Sequence, residues 1–389
     1  MTIPREPAFG PEEYQTRLQR VRQGMAERDL DGLLLFAPHP INYLSGMDSE
    51  NLFDFQCLIV PLNGTPTLVI LDFEEARAEN SVGLGTVVSY RAFDDPITAV
   101  VDQVRALGLA GGRLGLEQRA GITPAAHGRF VEELAGTRLE DPFGIVEGVR
   151  LVKSTAEIAY MRRAAALTDR AVEAAYHAIR PGVRDADVAA VIMDTFYRAG
   201  SDTVCWGPIV ASGYRAGSAH STFNGRTIEA GETVFLELTA EVRRYTAPLM
   251  RTAILGRPTA EQERVAEVGA EAVQTILRTA RPGIEAREVA RAAGAVLEPV
   301  LSDVVFHHNF GYPVGIGYPG TWIEALGFFI RTDNPRPLAA GMVFHLPMSL
   351  RKYGEYGINQ SHTMLVTEYG SEALTRTPAR LKVLDGSKV

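Results

Sequence analysis

A repeated segment constrains the fold of this chain more than any other feature of its sequence. The residues VEAAYHAIRPGVRDADVAAVI from Val172 align without gaps with VQTILRTARPGIEAREVARAA from Val273. In both copies a helical pattern of apolar residues stops at Arg-Pro-Gly, a typical helix-ending signal, and a second helical pattern follows. Only two copies occur, so the repeat does not indicate a solenoid, which needs at least about three units. We interpret the repeat as two halves of one duplicated unit.

Strand patterns follow each helical copy and are also similar to one another. GETVFLEL from Gly231 resembles GMVFHLP from Gly341, and RTAIL from Arg251 resembles HTMLV from His362. Each half would bury the apolar faces of its strands against its helices. The sequence therefore predicts an α+β domain made of a duplicated helix and antiparallel-sheet unit, with a cleft between the halves.

The first part of the chain has a different organisation. Short apolar runs, DGLLLFAP, FQCLIVPL and PTLVILDF, are bounded by Gly, Pro or Asp and are typical of buried strands. Helical patterns at about 12–28, 96–106 and 124–134 are interspersed with them, and a long amphipathic helix is predicted from about 156 to 179. We predict an N-terminal α/β domain over 1–153, followed by the duplicated domain over 154–389.

Charge and cysteine content narrow the class of partner. The 389 residues carry 39 Lys and Arg against 47 Asp and Glu, a formal net charge of −8, which argues against nucleic-acid binding by general electrostatics. Cys57 and Cys205 have no CxxC partner, which favours a reducing compartment. Neither a secretion signal nor a membrane-spanning run is found. We expect a cytoplasmic protein that acts on a small molecule, without nucleic-acid or membrane partners.

Several segments, in order, resemble the creatinase/prolidase superfamily. They include GLLLFAPHPINYLSGM from Gly32, RLVKSTAEIAYMRRAAALTDRAV from Arg150, PIVASGYRAGSAHS from Pro208, FGYPVGIGYP from Phe310 and HTMLVTEYG from His362. The resemblance implies a pita-bread C-terminal domain, preceded by a creatinase-type N-terminal α/β domain. It also implies hydrolysis of a C–N bond and a homodimer.

The chain departs from the metal-dependent members of this superfamily at their ligand positions. Those members place two Asp, one His and two Glu around a pair of divalent ions that activate a hydroxide. The corresponding positions hold Glu237, Pro248, Tyr312, Leu346 or Pro347, and Ser361 or His362. Pro and Leu offer no donor atom, and neutral Tyr or Ser is a poor ligand for a hard cation. We therefore predict neither a metal site nor another cofactor.

Metal-free members of the superfamily suggest the activity. Creatinase and ectoine hydrolase open C–N bonds in small nitrogenous compounds, and this chain looks closest to the ectoine-hydrolase branch. The first hypothesis is a metal-independent hydrolase of a small amidine, guanidino or amide compound. The alternatives are an Xaa-Pro peptidase with an altered site, and a pita-bread protein that binds without turnover.

His220 and Glu237 are the predicted catalytic residues. His220 lies in SAHST, where the resemblance implies a general base and acid, and an imidazole exchanges protons near neutral pH. Glu237 lies inside the apolar run VFLEL, where a carboxylate must be paired, neutralised or functional. It could attack an amidine carbon or hold a protonated amidinium. A structural histidine and a salt bridge from Glu237 to Arg244 or Arg251 are the alternatives.

The remaining candidates are predicted to contact the substrate. Tyr312 replaces a metal-binding His, so its hydroxyl could face the cleft, although it could also only pack. Arg244 and Arg251 could bind a substrate carboxylate, or form salt bridges with Glu241 or Glu237. Trp322, Glu324, His345 and His362 complete the predicted substrate-binding set. An alternative metal site made by His345, His362, His220 and Glu237 stays open.

Overall fold

The computed structural model describes residues 3–119, 121–324 and 327–386, and the chain forms two compact units, Met1–Arg150 and Leu151–Val389. Among the described residues, no helix combines the length and apolar character that crossing a bilayer requires. The first unit contains the helices α1 Pro11–Ala26, α2 Pro38–Ser45, α3 Glu75–Ser81, α4 Pro96–Ala106, α5 Pro124–Glu133 and α6 Ile145–Leu151, the last ending at the unit boundary. Its strands are β1 Gly32–Leu35, β2 Cys57–Pro61, β3 Thr67–Leu71, β4 Thr86–Tyr90, β5 Arg113–Leu116 and β6 Arg138–Glu140.

A mixed sheet forms the centre of the first unit. Its strand order is β4-β3-β2-β1-β5-β6, with β2 antiparallel to both β1 and β3 and the other pairs parallel. β1, β2 and β3 are buried along their whole length, as expected for apolar runs without alternation. α4 and α5 contribute Val100, Val104 and Phe130 to the core on one side. The α/β architecture predicted for this part of the chain is confirmed.

The second unit contains the duplicated helices and most of the strands. Its helices are α7 Thr155–Ala178, α8 Asp185–Ala199, α9 Ala260–Thr279 and α10 Ala286–Leu297. Its strands are β7 Ile209–Ser212, β8 Thr233–Leu238, β9 Glu241–Val242, β10 Tyr245–Thr246, β11 Leu249–Leu255, β12 Tyr312–Tyr318, β13 Thr321–Ile323, β14 Val343–His345, β15 Met348–Lys352, β16 Tyr356–Gln360, β17 Thr363–Val366, β18 Ser371–Ala373 and β19 Lys382–Leu384. Short 3₁₀ helices occur at Asp72–Glu74, Gly213–Gly217 and Glu298–Val300.

Equivalent hydrogen bonds confirm that the two halves share one plan. In the first half the Gly182 amide donates to the Ile228 carbonyl over 2.9 Å, and in the second half the Gly283 amide donates to the Leu338 carbonyl over 2.8 Å. Both glycines belong to the repeated Arg-Pro-Gly and have φ values of 91° and 84°, which favour glycine. In each half the repeated turn therefore ends a helix and is hydrogen-bonded to the segment that leads into the strands.

Each half packs a helix pair against antiparallel strands. α7 and α8 cover β8 and β11 in one half, and α9 and α10 pack with β14 and β17 in the other, each half with its own apolar cluster. The sheets have the orders β19-β11-β8-β7 and β18-β17-β14-β12-β10-β9, with β13 on β12, and β15 and β16 form a separate hairpin. This is the duplicated arrangement predicted from the sequence, and the pita-bread fold is confirmed.

Capping boxes fix where the first helix of each half begins. The Ser154 hydroxyl accepts from the Glu157 amide over 3.2 Å, while the Glu157 carboxylate accepts from the Ser154 amide over 2.8 Å. Thr259 and Gln262 repeat the exchange at the start of α9, over 3.2 and 2.9 Å. Each box satisfies two amides that would otherwise lack a partner, and such a cap stabilises a helix by about 1 kcal/mol.

Candidate active site

Strand alternation explains why the buried carboxylate of Glu237 does not lie in the apolar cluster beneath α7 and α8. On β8 the side chains of Val234, Leu236 and Leu238 belong to the cluster beneath α7 and α8. Successive side chains of a strand point to opposite faces, so Phe235 and Glu237 point away from those helices. Glu237 lies between β7 and β11 on this second face, directly opposite Ile209 and Met250.

The surroundings of Glu237 favour its protonated form. The residue is 4% exposed, and burial raises the pKa of its carboxyl from 4.5 to about 7, against an opposing effect of the positive charge of Arg351. Within the part of the chain that the structure describes, neither Arg244 nor Arg251 forms an ion pair with it. Glu237 therefore exchanges a proton close to neutral pH, as an acid, base or nucleophile at this pH must.

One cavity of about 60 Å³ brings together residues from distant parts of the chain. Its wall includes four of the nine predicted site residues. They are His220, Glu237, Tyr312 and Trp322, and Trp206, Ile209, Thr321 and Ile323 complete the lining. A mostly apolar wall with a few convergent polar groups is the composition of a small-molecule site, although the volume of this cavity is below the roughly 300–1,000 Å³ of such sites.

His220 lies at the exposed edge of this cavity. It follows the 3₁₀ helix Gly213–Gly217 and has a φ of 53°, an uncommon left-handed conformation for a residue other than glycine. Its ring centroid is 6.1 Å from that of Trp206, which is 5.8 Å from that of Trp322. Aromatic rings therefore line the path from the exposed imidazole to the buried end of the cavity.

A continuous chain of hydrogen bonds supports the hydroxyl of Tyr312. Tyr312 and His345 lie directly opposite each other on β12 and β14. Trp322 Nε1 donates to Tyr312 Oη over 3.0 Å, and Tyr312 Oη lies 2.6 Å from His345 Nδ1. His345 Nε2 lies 2.7 Å from Ser361 Oγ, which also accepts from the Met250 amide over 2.6 Å.

The tautomer of His345, that is, which ring nitrogen carries the proton, decides where the hydroxyl proton of Tyr312 points. Burial, together with the nearby Arg251 and His362, lowers the pKa of His345 to about 3, so its ring is neutral and has one N–H. With the proton on Nε2, His345 donates to Ser361 and accepts from Tyr312. With the proton on Nδ1, it donates to Tyr312, whose own hydroxyl proton is then available to the cavity. A change of tautomer thus turns Tyr312 into a donor towards the cavity.

Arg251 is placed in the interior rather than in the cavity lining. It is fully buried, and its Nη1 donates to the carbonyls of Met250 and Ser361 over 2.6 and 2.5 Å, while Nη2 donates to the carbonyl of Thr377. These bonds connect β11 to the segments on both sides of β17. In the structure, the side chain of Arg251 links main-chain segments to one another. A substrate contact by Arg251 stays a prediction.

Arg244 and Glu324 also lie outside the cavity lining. The guanidinium carbon of Arg244 is 4.7 Å from the centroid of the Tyr318 ring, a cation–π geometry. Glu324 forms an ion pair of 2.6 Å with Lys153, and both side chains are almost fully buried. Gly315 makes room for this carboxylate, because a Cβ there would lie 2.0 Å from its Oε2.

His362 is the last of the predicted substrate-binding residues. Its Nδ1 lies 2.8 Å from Thr375 Oγ1, and the side chain is buried. Burial, and secondarily the charge of Arg251, lower its pKa to about 3, so its ring is neutral. His362 is not among the residues of the cavity wall.

The donor set does not fit the dinuclear metal centre of the metal-dependent superfamily members. Glu237 is the one carboxylate at the five aligned positions, and the hydroxyls of Tyr312 and Ser361 are already hydrogen-bonded to His345. Among residues 3–119, 121–324 and 327–386, no group of three or more His, Cys, Asp or Glu is arranged to hold a metal ion. A hard divalent cation requires more anionic oxygen ligands than this arrangement offers.

Comparison with known families identifies both units. Residues 17–152 match the Creatinase/Prolidase N-terminal domain, and residues 159–368 match metallopeptidase family M24. The chain belongs to family M24. It is therefore a hydrolase acting on C–N bonds, and the predicted membership of the creatinase/prolidase superfamily is confirmed.

Three known proteins illustrate the range of the family. An uncharacterised hydrolase/peptidase of Sinorhizobium fredii is 31% identical, over 97% of this chain and 99% of its own length. The ectoine hydrolase of Halomonas elongata is 28% identical, over 96% of this chain and 98% of its own. The solved structure of an Xaa-Pro dipeptidase from Bacillus anthracis has a TM-score of 0.84 at 23% identity, covering 95% of this chain and 100% of that one, and shows the same fold.

Sequence reasoning missed Trp206 and Arg351. Trp206 lies two residues before the family-like segment PIVAS, and it is one of only two tryptophans in the chain, which was an available signal. Arg351, whose charge acts on Glu237, lies in a hairpin without any motif. The face of the hairpin on which Arg351 lies depends on strand register, which the sequence did not reveal.

Proposed function

We propose that this M24 hydrolase cleaves a C–N bond of a small amidine, guanidino or amide compound without the metal pair of the peptidases. The observation that carries the proposal is the shared cavity of His220, Glu237 and Tyr312, flanked by Trp206 and Trp322. An imidazole and a carboxyl that titrates near neutral pH suffice for proton transfer and charge stabilisation. The similarity to an ectoine hydrolase along nearly the whole chain supports this substrate class.

His220 supplies proton transfer in this scheme. Its imidazole takes a proton from water as the water oxygen bonds to the amidinium carbon, giving a tetrahedral intermediate. The imidazolium then gives the proton to the departing nitrogen, the C–N bond breaks, and an amide and an amine remain. The exposed position of His220 at the cavity edge lets it receive water and substrate from solvent.

Glu237 has two possible roles, and both use its ionised form. As an anion it binds the amidinium and stabilises positive charge at the reacting carbon. As a nucleophile its carboxylate oxygen bonds to that carbon, and the C–N bond breaks as a protonated His220 gives its proton to the departing amine, which leaves an imidoyl ester on Glu237. The neutral His220 then takes a proton from a water whose oxygen attacks the imidoyl carbon, so that the amide is released and the carboxylate returns. Rapid acid quench followed by intact-mass measurement distinguishes the two roles, because only the nucleophile adds a substrate-derived mass to the protein.

Tyr312 positions the reacting group. Its hydroxyl accepts from Trp322 and, with His345 protonated on Nδ1, donates into the cavity. A donor at this place can hydrogen-bond to the oxygen that is added to the reacting carbon in the tetrahedral intermediate. His345 and Ser361 act through Tyr312 and are positioning residues.

The test is turnover of ectoine, followed by chromatography of the products, with and without a chelator. We expect hydrolysis that the chelator leaves unchanged, loss of turnover in Glu237→Gln, and full turnover in Glu368→Gln, which removes an exposed carboxylate outside the cavity wall. Cleavage of Xaa-Pro peptides that a chelator abolishes would establish the altered peptidase instead. Ligand binding without turnover of either class would indicate a non-catalytic protein.

We further propose a cytoplasmic homodimer. Cys57 and Cys205 are both free and buried, as is usual in a reducing compartment. Two-fold dimers are the commonest oligomers, and the superfamily resemblance favours one. Light scattering coupled to size-exclusion chromatography measures the mass directly, and a monomer at micromolar concentration would contradict this expectation.

A further inference from the structure

A hydrogen-bonded row of three side chains leads from the cavity into the interior of the second unit. Tyr312 lines the cavity, its Oη lies 2.6 Å from His345 Nδ1, and His345 Nε2 lies 2.7 Å from Ser361 Oγ. His345 and Ser361 are fully buried. Because each hydroxyl has one proton and a neutral imidazole has one N–H, the direction of one hydrogen bond in the row fixes the direction of the next.

Both ends of the row receive a hydrogen bond from a group that can only donate. The indole Nε1 of Trp322 donates to Tyr312 Oη over 3.0 Å, and the main-chain amide of Met250 donates to Ser361 Oγ over 2.6 Å. Neither N–H group has a lone pair that could accept in return. Each hydroxyl therefore already accepts one hydrogen bond from outside the row.

The protons of the row can be counted, because the His345 ring is neutral and has one N–H. Tyr312, His345 and Ser361 together supply three protons for the two hydrogen bonds on either side of the ring. One hydroxyl proton is therefore left over. It belongs to Ser361 when the ring is protonated on Nε2, and to Tyr312 when the ring is protonated on Nδ1.

The surroundings of the two hydroxyls decide which proton is left over. Within the described part of the chain, Ser361 Oγ has no hydrogen-bonding partner besides Met250 and His345, so a spare proton there would disfavour its tautomer by at least about fivefold. Tyr312 instead lines a cavity of about 60 Å³, and roughly 10–15 Å³ is enough to hold a water molecule. A spare proton on Tyr312 can therefore be accepted by solvent, by the Glu237 carboxyl in the same wall or by a ligand.

We propose that Ser361 holds His345 in the tautomer with its proton on Nδ1 and thereby makes the Tyr312 hydroxyl a fixed donor into the cavity. Ser361 donates to Nε2, Nδ1–H donates to Tyr312, and both accepting positions of the Tyr312 oxygen are then occupied. Ser361 is a positioning residue, because it acts through His345.

This direction selects the ligand atom that can lie against Tyr312. The atom must accept a hydrogen bond, as a carbonyl or carboxylate oxygen does, and a group that has only N–H donors does not fit there. This selection rests on the proposed function, because it concerns the same site and its substrate. The tautomer does not rest on it, since the hydrogen bonds of the protein alone determine it.

Nuclear magnetic resonance of protein labelled with nitrogen-15 in its eight histidines measures the tautomer without a substrate. A ring nitrogen that carries a proton and one that carries a lone pair have well-separated shifts. His345→Gln identifies the His345 signals by their loss, and Tyr312→Phe identifies them by their shift if His345→Gln is not folded. We expect the wild type at neutral pH to carry the proton on Nδ1. A wild type with the proton on Nε2 would overturn the proposal.

Substitutions of Ser361 test whether this residue decides the tautomer. Ser361→Ala removes the donor to Nε2, so the excess of the Nδ1 form of at least about fivefold should be lost. Ser361→Thr keeps a hydroxyl and should have the wild-type tautomer. Ser45→Ala, which removes the hydroxyl of a buried serine in the first unit, is the matched control and should also equal the wild type. An unchanged tautomer in Ser361→Ala would contradict the role of Ser361.

Two small probes test the direction of the Tyr312 hydrogen bond. Acetamide offers a carbonyl oxygen, whereas acetamidine, which is protonated at neutral pH, offers only N–H donors. Trp206 and Trp322 are the tryptophans of the chain and both line the cavity, so tryptophan fluorescence reports binding. We expect Ser361→Ala to weaken acetamide binding by about two- to tenfold, the usual value of one hydrogen bond, and not to weaken acetamidine binding.

The outcomes separate this inference from the proposed function. Acetamide that does not bind the wild type, or that binds Ser361→Ala as tightly, would overturn the selection of an acceptor at Tyr312. Acetamidine that fails to bind, while the tautomer and the acetamide results are as expected, would support the fixed donor and count against the amidine chemistry. Near-ultraviolet circular dichroism checks that each variant is folded, and the tautomer of the wild type carries the test if Ser361→Ala is not.

Discussion

Replacing Glu237 by Gln should stabilise the folded protein in a pH-dependent way. Gln has the size of Glu and can form similar hydrogen bonds, but it does not ionise. In the wild type, burial raises the pKa of the Glu237 carboxyl from 4.5 to about 7, so ionisation is harder in the folded protein than in the unfolded chain. The variant removes the free-energy cost of ionising a buried carboxyl, and it also removes the catalytic group.

The sign and magnitude follow from the two pKa values. Below 4.5 the carboxyl is protonated in both states, and the wild type has its full stability. As the pH rises to about 7 the unfolded chain releases the proton while the folded protein holds it, so stability falls. At about 1.4 kcal/mol for each pH unit between the two values, the loss is about 3 kcal/mol and is complete above pH 7.

The measurement is urea unfolding followed by tryptophan fluorescence, because both tryptophans lie in the second unit beside Glu237. We expect the free energy of unfolding of Glu237→Gln to equal that of the wild type at about pH 4.5 and to exceed it by about 3 kcal/mol at about pH 8. Glu368→Gln controls for the loss of one negative charge at the surface. A difference between Glu237→Gln and the wild type that stays constant across this range would refute the buried, titrating carboxyl.

Three further predictions concern His220, Tyr312 and the ion pair of Lys153 with Glu324. His220→Asn should lower kcat at least about 100-fold, and an unchanged kcat would contradict the proton-transfer role of His220. Because His220 is exposed and Asn tolerates its positive φ, the free energy of unfolding should change by less than about 0.5 kcal/mol. Tyr312→Phe should lower the free energy of unfolding by about 1–3 kcal/mol, because Trp322 loses its hydrogen-bond acceptor and His345 loses its hydroxyl partner. An unaltered midpoint of thermal or urea unfolding would contradict this hydrogen-bond chain. Lys153→Met should lower the free energy of unfolding by about 3–5 kcal/mol, because it removes one partner of a buried ion pair, and adding Glu324→Leu should recover part of that loss. Equal losses in the single and double variants would contradict a coupled buried pair.

Local sequence patterns were reliable for the secondary structure of both units. The helical pattern predicted from about 156 to 179 is observed as Thr155–Ala178, and the helix predicted at 96–106 is observed as Pro96–Ala106. The repeated Arg-Pro-Gly identified the duplication, because the same turn must end a helix in each half. These features depend on periodicity, capping and turn chemistry, which act between residues close in sequence.

Local sequence patterns did not predict which groups the site residues contact. Arg251 and Arg244 were equivalent candidates for binding a carboxylate, yet one is enclosed by main-chain carbonyls and the other packs on Tyr318. Nothing in the residues around them distinguishes these surroundings. Burial and partner choice arise from the packing of several strands, which a single segment does not encode.

By itself, the sequence predicted a duplicated α+β domain, a carboxylate within a buried strand, and a single carboxylate, that of Glu237, at the five positions aligned with metal ligands. The tertiary structure alone decided that Tyr312 meets His345 across 33 positions of sequence and that Glu237 lies opposite Ile209 and Met250. The physical reason is strand register. Alternation along a strand is local, but the pairing that brings two strands into contact is long-range, and a slip of one residue would turn every side chain to the other face.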